Sequence, residues 1–378
     1  MQEVVAESKQ LTEPVTRATE LRRPKPEAGI SIIVCCHNSS ELLPATLQHL
    51  KAQQAVDIGW EVVLVDNAST DDTAEKAQEI WGSTPEPAPL RIVREPQLGL
   101  TFARERGLSV AKYEFLCFVD DDNWIAPDWV RTVWEVMSEH PKIGACGGLS
   151  RAEFRVAPPS WFYEYAHLYA ILPDSPQTGD VSAARMLWGA GLTVRRSALV
   201  ELSEDFGFQS VLVGRKGTRL SSGEDAELSL ALRAAGWSLW LEPRLQFVHY
   251  IPLRRLNWRY LRRLAYGSAF ATPAHDAIYF AGKAPRYGVL RIVRSLRESW
   301  TWQVLSAGLG IVRHPLSLLS TMLFPREGAP GAIRVEFQKG RFMGLLEAFR
   351  WYGKRRRTLG RSFGRAARST DSIVECSS

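Results

Sequence analysis

Residues 113–125 read YEFLCFVDDDNWI, an apolar run that ends in three consecutive aspartates. Its succession of aromatic, aliphatic and Cys side chains is typical of a β-strand buried on both faces of a sheet. Side chains alternate along an extended chain, so Asp120 and Asp122 are expected on one side of the strand and Asp121 on the other. Because neighbouring carboxylates repel one another, this spacing predicts a site for one divalent cation.

The acidic run also has a plainer explanation. Asp and Asn are frequent in turns, where their side chains hydrogen-bond to nearby backbone groups. Asn123 or Asp128 alone could cap the helix expected over WVRTVWEVM. Mutual repulsion of the three carboxylates favours the metal site over the turn. Carboxylate oxygens suit Mn²⁺ or Mg²⁺, either of which can bridge the phosphates of a nucleotide.

Three shorter apolar runs precede this strand, and helical patterns separate them. They are ISIIVCC at 30–36, WEVVLVD at 60–66 and LRIVRE at 90–95. Ser39 or Ser40 is expected to cap the first helix, and Ser69 or Thr70 the second. This alternation predicts an α/β fold, a Rossmann-like and mostly parallel sheet flanked by helices.

Polar residues follow the strands at the edge where such sheets bind ligands. His37 and Asn38 follow the first strand, and Asp66 and Asn67 end the second. The chain contains neither GxGxxG nor GxxxxGK[ST]. These absences exclude the glycine-cradled dinucleotide site and the P-loop as explanations for this edge.

A second acidic site begins the segment SSGEDAELSLALRAAGW at 221–237. Glu224 and Asp225 extend by one turn the apolar stripe of the predicted helix, so we expect them on its inward face. Acids at a helix N-terminus also offset the helix dipole, and Glu227, expected to be exposed, fits that plainer role best. A carboxylate at the mouth of a cleft can instead act as a general base toward a hydroxyl.

Composition predicts a folded protein with two electrostatic parts. The chain has 378 residues, 45% of them hydrophobic, which excludes wholesale disorder. Its 5 Cys show no CxxC pair, as expected in a reduced, cytosolic compartment. Residues 250–378 carry 23 Lys and Arg against 7 Asp and Glu, a net charge of +16, and residues 1–249 carry −10.

The basic part is expected to associate with membranes. Residues 253–297 interleave Arg with Leu, Trp and Tyr, a pattern suited to helices lying on an anionic lipid surface. An amphipathic helical cap with solvated arginines, or a nucleic-acid surface, would use similar residues. No run of 18 apolar residues occurs and the N-terminus lacks a signal-peptide core, so neither a simple span nor export is expected.

We therefore expect a flexible lead-in at 1–28, an α/β domain at 29–250 and a basic amphipathic helical, membrane-associating extension with a flexible tail at 251–378. The expected location is peripheral, at the cytoplasmic face of the inner membrane, with an anionic membrane and no nucleic acid as partner.

Six segments, taken in order, carry a resemblance to a known family. They are ISIIVCCHN, EVVLVDNASTDDT, REPQLGLTFARERG, FLCFVDDDNWI, WGAGLTVRRSAL and SSGEDAELSLALRAAGW. Together they resemble the family 2 glycosyltransferases of the GT-A fold over roughly 29–250. A weaker similarity, in WFYEYA and HYIPLRRLNWRYLRRL, is to the glycosyltransferases of hormogonium polysaccharide biosynthesis.

The resemblance implies an inverting transfer from a nucleotide-diphosphate sugar, usually a UDP-sugar, to a hydroxyl of a glycan or lipid-linked acceptor in cell-surface polysaccharide biosynthesis. Asp225, with Glu224 before it, falls on the pair that supplies the base. The resemblance also implies that Asp120, Asp122 and His249 bind the Mn or Mg ion. The residues implied at the donor are Asn38, Asp66, Asn67, Arg104, Asp120 and Asp121.

Two other functions stay open at this point. A sugar-1-phosphate nucleotidyltransferase would share the strand order and the metal, but HNSSELL after the first strand lacks the expected Gly-rich, Lys-bearing loop. A non-catalytic membrane adaptor on a transferase scaffold would tolerate loss of Asp122 or Asp225, yet both are present. The chain also departs from the family in one place, because Cys35, Cys36 and His37 replace the common Pro-Thr-Tyr before Asn38.

Overall fold

The computed structural model describes residues 26–83, 87–175, 177–184, 186–212, 214, 222–281, 296–313 and 327–375, with side chains as far as residue 363. Nine strands form one sheet with helices on both faces. The strands are β1 (Glu27–Cys36), β2 (Trp60–Asn67), β3 (Leu90–Glu95), β4 (Tyr113–Asp120), β5 (Asn123–Ile125), β6 (Ile143–Glu153), β7 (Gly179–Asp180), β8 (Leu192–Arg195) and β9 (Ser238–Tyr250).

The four strands expected from the apolar runs are all present, and they form a parallel block in the order β3-β2-β1-β4. β1 and β2 are buried along almost their whole length, which accounts for their unbroken apolar sequences. Cys36 pairs with Asp66, and Cys35 pairs with Asp120. The polar residues that follow these strands therefore lie at one edge of the sheet.

The rest of the sheet is mixed rather than parallel, continuing in the order β8-β6-β9-β5. β8 runs antiparallel to β4, and β5 runs antiparallel to the end of β9. The β5–β9 register pairs Asn123 with His249. This pairing places His249, which is 126 positions after Asn123 in the sequence, close to the end of β4.

In the described ranges, six helices flank the sheet: α1 (Leu43–Lys51), α2 (Thr73–Gly82), α3 (Leu100–Val110), α4 (Trp129–Glu139), α5 (Arg196–Glu204) and α6 (Glu224–Ala234). The serine caps predicted for α1 and α2 are wrong, because the N-cap residues are Leu42 and Asp72. Ser39 is committed elsewhere, since its hydroxyl donates to Asp121 and accepts from the His37 N–H.

A helical layer follows β9. It contains α7 (Trp258–Phe270), α8 (Thr272–Ala281), α9 (Trp300–Val312), α10 (Pro330–Glu347) and α11 (Tyr352–Glu375). The apolar residues of α7, among them Trp258 and Leu261, are buried against α10 and against the 3₁₀ helix Phe162–Tyr169. α7 is thus an amphipathic cap packed on protein, the alternative that the sequence left open. Residues 282–295 of the predicted lipid-facing segment 253–297 lie outside the described residues.

No helix in the described ranges has both the length and the apolar content needed to cross a bilayer.

An internal ion pair fixes α11 to α6. Glu227 is fully buried, and its carboxylate accepts hydrogen bonds from Arg355 at 2.5 Å, from the Val211 N–H at 3.3 Å and from the Ser210 hydroxyl. The expectation that Glu227 is an exposed, dipole-compensating acid is wrong. Its partner is 128 residues away in sequence, so no local pattern could reveal it.

Removing Arg355 should destabilise the protein strongly. Arg355→Ala leaves a buried, unpaired carboxylate and is expected to cost about 3–5 kcal/mol of unfolding free energy, measured by urea denaturation. The double replacement Glu227→Leu with Arg355→Leu should cost less than the sum of the two single changes.

The control is Lys76→Ala, which breaks an exposed pair with Asp72 at 3.2 Å. Its expected cost is below about 1 kcal/mol. Equal costs for Arg355→Ala and Lys76→Ala would contradict an anchoring role for the Glu227–Arg355 pair.

Candidate active site

Asn38 and Asp66 lie together where β1 and β2 end. Asn38 has a left-handed backbone (φ 52°), and its side-chain oxygen accepts from the Thr70 N–H at 2.8 Å. Asp66 is 2% exposed, and its carboxylate accepts from the Ser69 N–H at 3.2 Å. The loop after β2 thus folds back over the end of β1, with both side chains at the edge predicted to receive a donor.

Asn67 serves the scaffold. Its amide group donates to the carbonyls of Glu95 and Gln97 and accepts from the Gly99 N–H at 2.8 Å. These bonds fix the segment between β3 and α3. The side chain predicted to bind the donor is therefore occupied with positioning the loop that leads to Arg104.

Asp121 points toward the β1 loop. Its carboxylate accepts from the Ser39 hydroxyl, and its backbone carbonyl accepts from Thr46 at 2.7 Å. Burial, reinforced by the charge of Asp122, raises the pKa of Asp121 to about 7. Asp121 thus links the end of β4 to α1 and the loop before it.

Asp122 is the buried member of the acidic run, 2% exposed. One carboxylate oxygen accepts from Arg255 at 2.6 Å, and the other lies 3.4 Å from His249 Nε2. The extended alternation predicted through this residue is wrong, because β4 ends at Asp120 and residues 121 and 122 form a turn. Asp122 and His249 are nevertheless close together, as predicted, because β9 carries His249 to this turn.

Sequence reasoning missed Arg255. It lies in the 3₁₀ helix Leu253–Arg255, just after β9, within a run of arginines that was attributed to a lipid surface. Its position in HYIPLRR, six residues after His249, was the only available signal. Although burial opposes the charge, Asp122 raises the pKa of Arg255 above its ordinary value.

The side chains at this edge carry atoms that suit a divalent cation. Asp120, Asp122 and His249 offer carboxylate oxygens and an imidazole, and His249 Nδ1 is buried without a hydrogen-bond partner in the described part of the chain. As the side chains stand, no three His, Cys, Asp or Glu of the described ranges are grouped closely enough to hold a metal. Arg255 donates to one oxygen of Asp122, and the other lies beside His249 and accepts from the Asn123 side-chain amide at 3.1 Å.

Arg104 connects the acids of β4 to those of α6. Its guanidinium donates to Glu224 at 3.2 Å and lies 5.3 Å from the centre of the Phe118 ring. Although burial opposes the charge, Glu224 and then Asp120 raise the pKa of Arg104 above its ordinary value. Arg104 is thus the counter-ion between the two acidic sites.

A backbone donor orients Asp225. The N–H of Gly189 donates to its Oδ2 at 2.7 Å, and the Ala226 N–H donates to Oδ1 at 2.8 Å. A Cβ at position 189 would lie 2.8 Å from Arg104 Nη2, so a larger residue there would require the guanidinium group of Arg104 to shift. Gly189 was not predicted as a site residue, although it lies in WGAGLTVRRSAL, one of the six segments that carry the family resemblance.

Comparison with known proteins identifies a glycosyltransferase domain in the chain. The model of glycosyl transferase family 2 matches residues 31–201. The succinoglycan biosynthesis protein ExoM of Rhizobium meliloti is 24% identical over 268 residues, 67% of this chain and 78% of ExoM. The glucosyl-dolichyl phosphate glucuronosyltransferase of Haloferax volcanii is 19% identical over 205 residues, 54% of this chain and 63% of that enzyme.

The chain spans less than two thirds of the length of several curated relatives, as for the glucuronosyltransferase. Among solved structures, the mannosyltransferase PcManGT from Pyrobaculum calidifontis, in complex with GDP-Man and Mn²⁺, has a TM-score of 0.52 at 20% identity and covers 89% of this chain and 93% of its own. The fold, the matched domain and these relatives agree with the resemblance found in the sequence. Residues 31–201 are a glycosyl transferase family 2 domain, and the chain has the GT-A fold.

Proposed function

We propose that this protein transfers a sugar, with inversion, from a nucleotide-diphosphate sugar to a hydroxyl group of a glycan or lipid-linked acceptor. The observation that carries the proposal is the placement of Arg104. It pairs with Glu224 at the start of α6 and lies within electrostatic reach of Asp120 and Asp225. The general base and the acids that face the departing diphosphate can therefore lie at the same edge of the sheet.

The donor nucleotide would occupy the edge formed by Asn38 and Asp66. The buried Asp66 carboxylate accepts one backbone N–H at 3.2 Å and lies 3.5 Å from the largely exposed Arg94. Such a carboxylate can accept an N–H from a nucleobase, as the family resemblance implies for uracil. PcManGT is in complex with GDP-Man and has the same fold. Experiment therefore has to establish which nucleobase this protein binds.

Asp120, Asp122 and His249 would hold a divalent cation, which we propose to be Mn²⁺. When bound, the cation supplies positive charge that stabilises the departing diphosphate. The chain adds its own positive charge through Arg255, which holds Asp122 in place. Arg255 is thus a positioning residue for the acidic turn.

Asp225 would act as the general base. It takes the proton of the acceptor hydroxyl while that oxygen forms a bond to the anomeric carbon. The bond from the anomeric carbon to the diphosphate oxygen breaks, and its electron pair leaves with the nucleotide diphosphate. Attack on the face opposite the leaving group inverts the anomeric centre. The Gly189 N–H keeps the carboxylate oriented during this step.

The acceptor would approach beside Trp188. This half-buried ring precedes Gly189, so an acceptor sugar stacked on it would have its hydroxyl near Asp225. By contrast, most of the aromatic segment 161–169 is buried in the core with Trp258. ExoM is named a succinoglycan biosynthesis protein, which supports a role in polysaccharide biosynthesis.

A donor panel tests the reaction itself. The full chain with Mn²⁺ should release the nucleotide diphosphate from one of a set of UDP-sugars and GDP-mannose. An inactive panel, combined with no thermal stabilisation by UDP or GDP in the presence of Mn²⁺, would argue against the proposed function.

Asp225→Asn should abolish transfer and spare donor binding. Loss of a general base typically lowers the rate by about 10²–10⁴, whereas the Asn side-chain oxygen can still accept from the Gly189 N–H. Turnover measured by nucleotide release and donor affinity measured by calorimetry separate these effects. Asp205→Asn, the same change at an exposed position after α5, should alter neither. Near-wild-type transfer by Asp225→Asn would show that the base is misassigned.

His249→Ala should weaken Mn²⁺ binding in the presence of UDP by at least tenfold, because it removes the imidazole that lies beside Asp122. Electron paramagnetic resonance reports free Mn²⁺ directly, without reliance on activity. His140→Ala, which changes an exposed histidine after α4, is the control. Unchanged Mn²⁺ affinity in His249→Ala would remove His249 from the ligand set.

A further inference from the structure

Large apolar side chains are exposed along one face of α9. Trp302, Leu305, Leu309 and Val312 are each at least 50% exposed, and their spacing of three, four and three residues places them on one side of the helix. Three more exposed apolar residues lie where α10 ends nearby: Met343, Leu346 and Phe349. We call these seven residues the apolar ridge.

The opposite face of α9 is fixed to the protein. Gln303 and Ala307 are buried, and the Trp300 indole N–H donates to the Leu345 carbonyl at 2.6 Å. The Trp300 ring also packs against Phe349, with centroids 4.8 Å apart. Because these contacts hold α9 on α10, the exposed face of α9 and the exposed residues at the end of α10 are fixed relative to one another.

A stripe of exposed cations begins where the ridge ends. Arg350 follows Phe349 directly, and Lys354, Arg357 and Arg361 continue along α11 at spacings of four, three and four residues. The segment 348–363 contains no acidic residue. Arg355 and Arg356, on the other side of α11, pair with Glu227 and Glu298. We call the four exposed residues the cationic stripe.

We propose that the apolar ridge and the cationic stripe together bind an anionic lipid bilayer. The ridge would enter the boundary between headgroups and acyl chains, with Trp302 at the depth that Trp prefers in membranes. The stripe would contact anionic headgroups. α9 has 13 residues and is about 20 Å long, shorter than the roughly 30 Å hydrocarbon core, so it would lie in the plane of the membrane.

The combination of the two surfaces favours lipid over other partners. A nucleic acid would match the stripe but leave seven apolar side chains in water. A second protein would cover the ridge, but the four clustered like charges of the stripe would then need acidic partners. A bilayer containing anionic lipid matches both. The binding surface differs from α7, whose apolar residues are buried in protein.

Vesicle flotation with the full chain tests the proposal. The vesicles are phosphatidylcholine alone or phosphatidylcholine with 30% phosphatidylglycerol, at 0.1 and 0.5 M NaCl. We expect binding to the anionic vesicles at low salt, and a several-fold loss of binding at high salt or on neutral vesicles. Equal binding to both vesicle types, or none to either, overturns the proposal.

Two variants separate the surfaces. Leu305→Glu with Leu309→Glu should abolish flotation, because charged side chains would enter the acyl boundary. Lys354→Gln with Arg357→Gln and Arg361→Gln should weaken binding on the order of 100-fold, as expected when three headgroup contacts are lost. Both variants change exposed positions, and unchanged thermal unfolding verifies their folds.

The matched control for the stripe removes three exposed cations from the α/β domain: Arg91→Gln, Arg131→Gln and Lys142→Gln. Val56→Glu is the control for the ridge, since Val56 is 82% exposed on that same domain. Both controls should float like the wild type. If the controls lost flotation as strongly as the ridge and stripe variants, binding would depend on general surface properties such as net charge. That result would overturn the assignment to the ridge and the stripe.

Size-exclusion chromatography without lipid provides the competing outcome. If the wild type self-associates, fails to float, and becomes monomeric in the Leu305→Glu, Leu309→Glu variant, the ridge is a protein interface and the lipid proposal is wrong. Wild-type flotation with Trp302 quenched by brominated lipid, and loss of that quenching in Trp302→Phe, supports it. Neither readout depends on glycosyl transfer, so the membrane proposal and the proposed function can fail separately.

Discussion

Asp122 is nearly inaccessible to water, and distant parts of the chain supply partners to its carboxylate. β9 brings His249 to one oxygen, and the helical segment after β9 brings Arg255 to the other. Burying a carboxylate without such partners would cost several kcal/mol. The end of β4, the end of β9 and the start of the helical layer are consequently fixed to one another at this contact.

The same electrostatic arrangement recurs at α6. Glu227 is buried two residues after Asp225, and Arg355 from α11 satisfies it. Arg104 from α3 holds Glu224 one residue before Asp225. The helix that carries the proposed base is therefore held from both sides by arginines from separate parts of the chain. A shift of α11 would disturb α6 directly, so the helical layer is coupled to the site physically.

Local sequence pattern predicted the parallel block well because its causes are local. A strand buried on both faces needs an unbroken apolar run, and β1, β2 and β4 each have one. The acids at the strand ends and at the start of α6 were also identifiable, since polar residues at those positions need a reason. Their assignment to the site rested on the family resemblance, because spacing alone left turns and helix caps as alternatives.

The contacts that sequence could not reveal are those made by distant arginines. Arg255 and Arg355 occur in basic segments that resemble solvated or lipid-facing surface, yet both are largely buried counter-ions of acids more than 120 residues away. Likewise, Glu227 looked like an exposed acid because only its own helix was considered. Where a chain has a negative half and a positive half, part of the charge of each is neutralised internally, and composition does not reveal which part.

Because of that internal pairing, the net charge of the basic region overstates the positive charge that is available to an external anion. Arg255, Arg262, Arg355 and Arg356 all have carboxylate partners within 3.5 Å and so offer little to an external anion. Among the described residues, the outer side of α11 does offer charge for binding, because exposed cations follow one another there without an acid between them. Because the same helix presents Arg355 inward to α6, a surface that meets a membrane on one side would be fixed to the catalytic domain on the other. With the proposed membrane binding and a lipid-linked acceptor, this arrangement would keep the proposed base at a constant height above the bilayer.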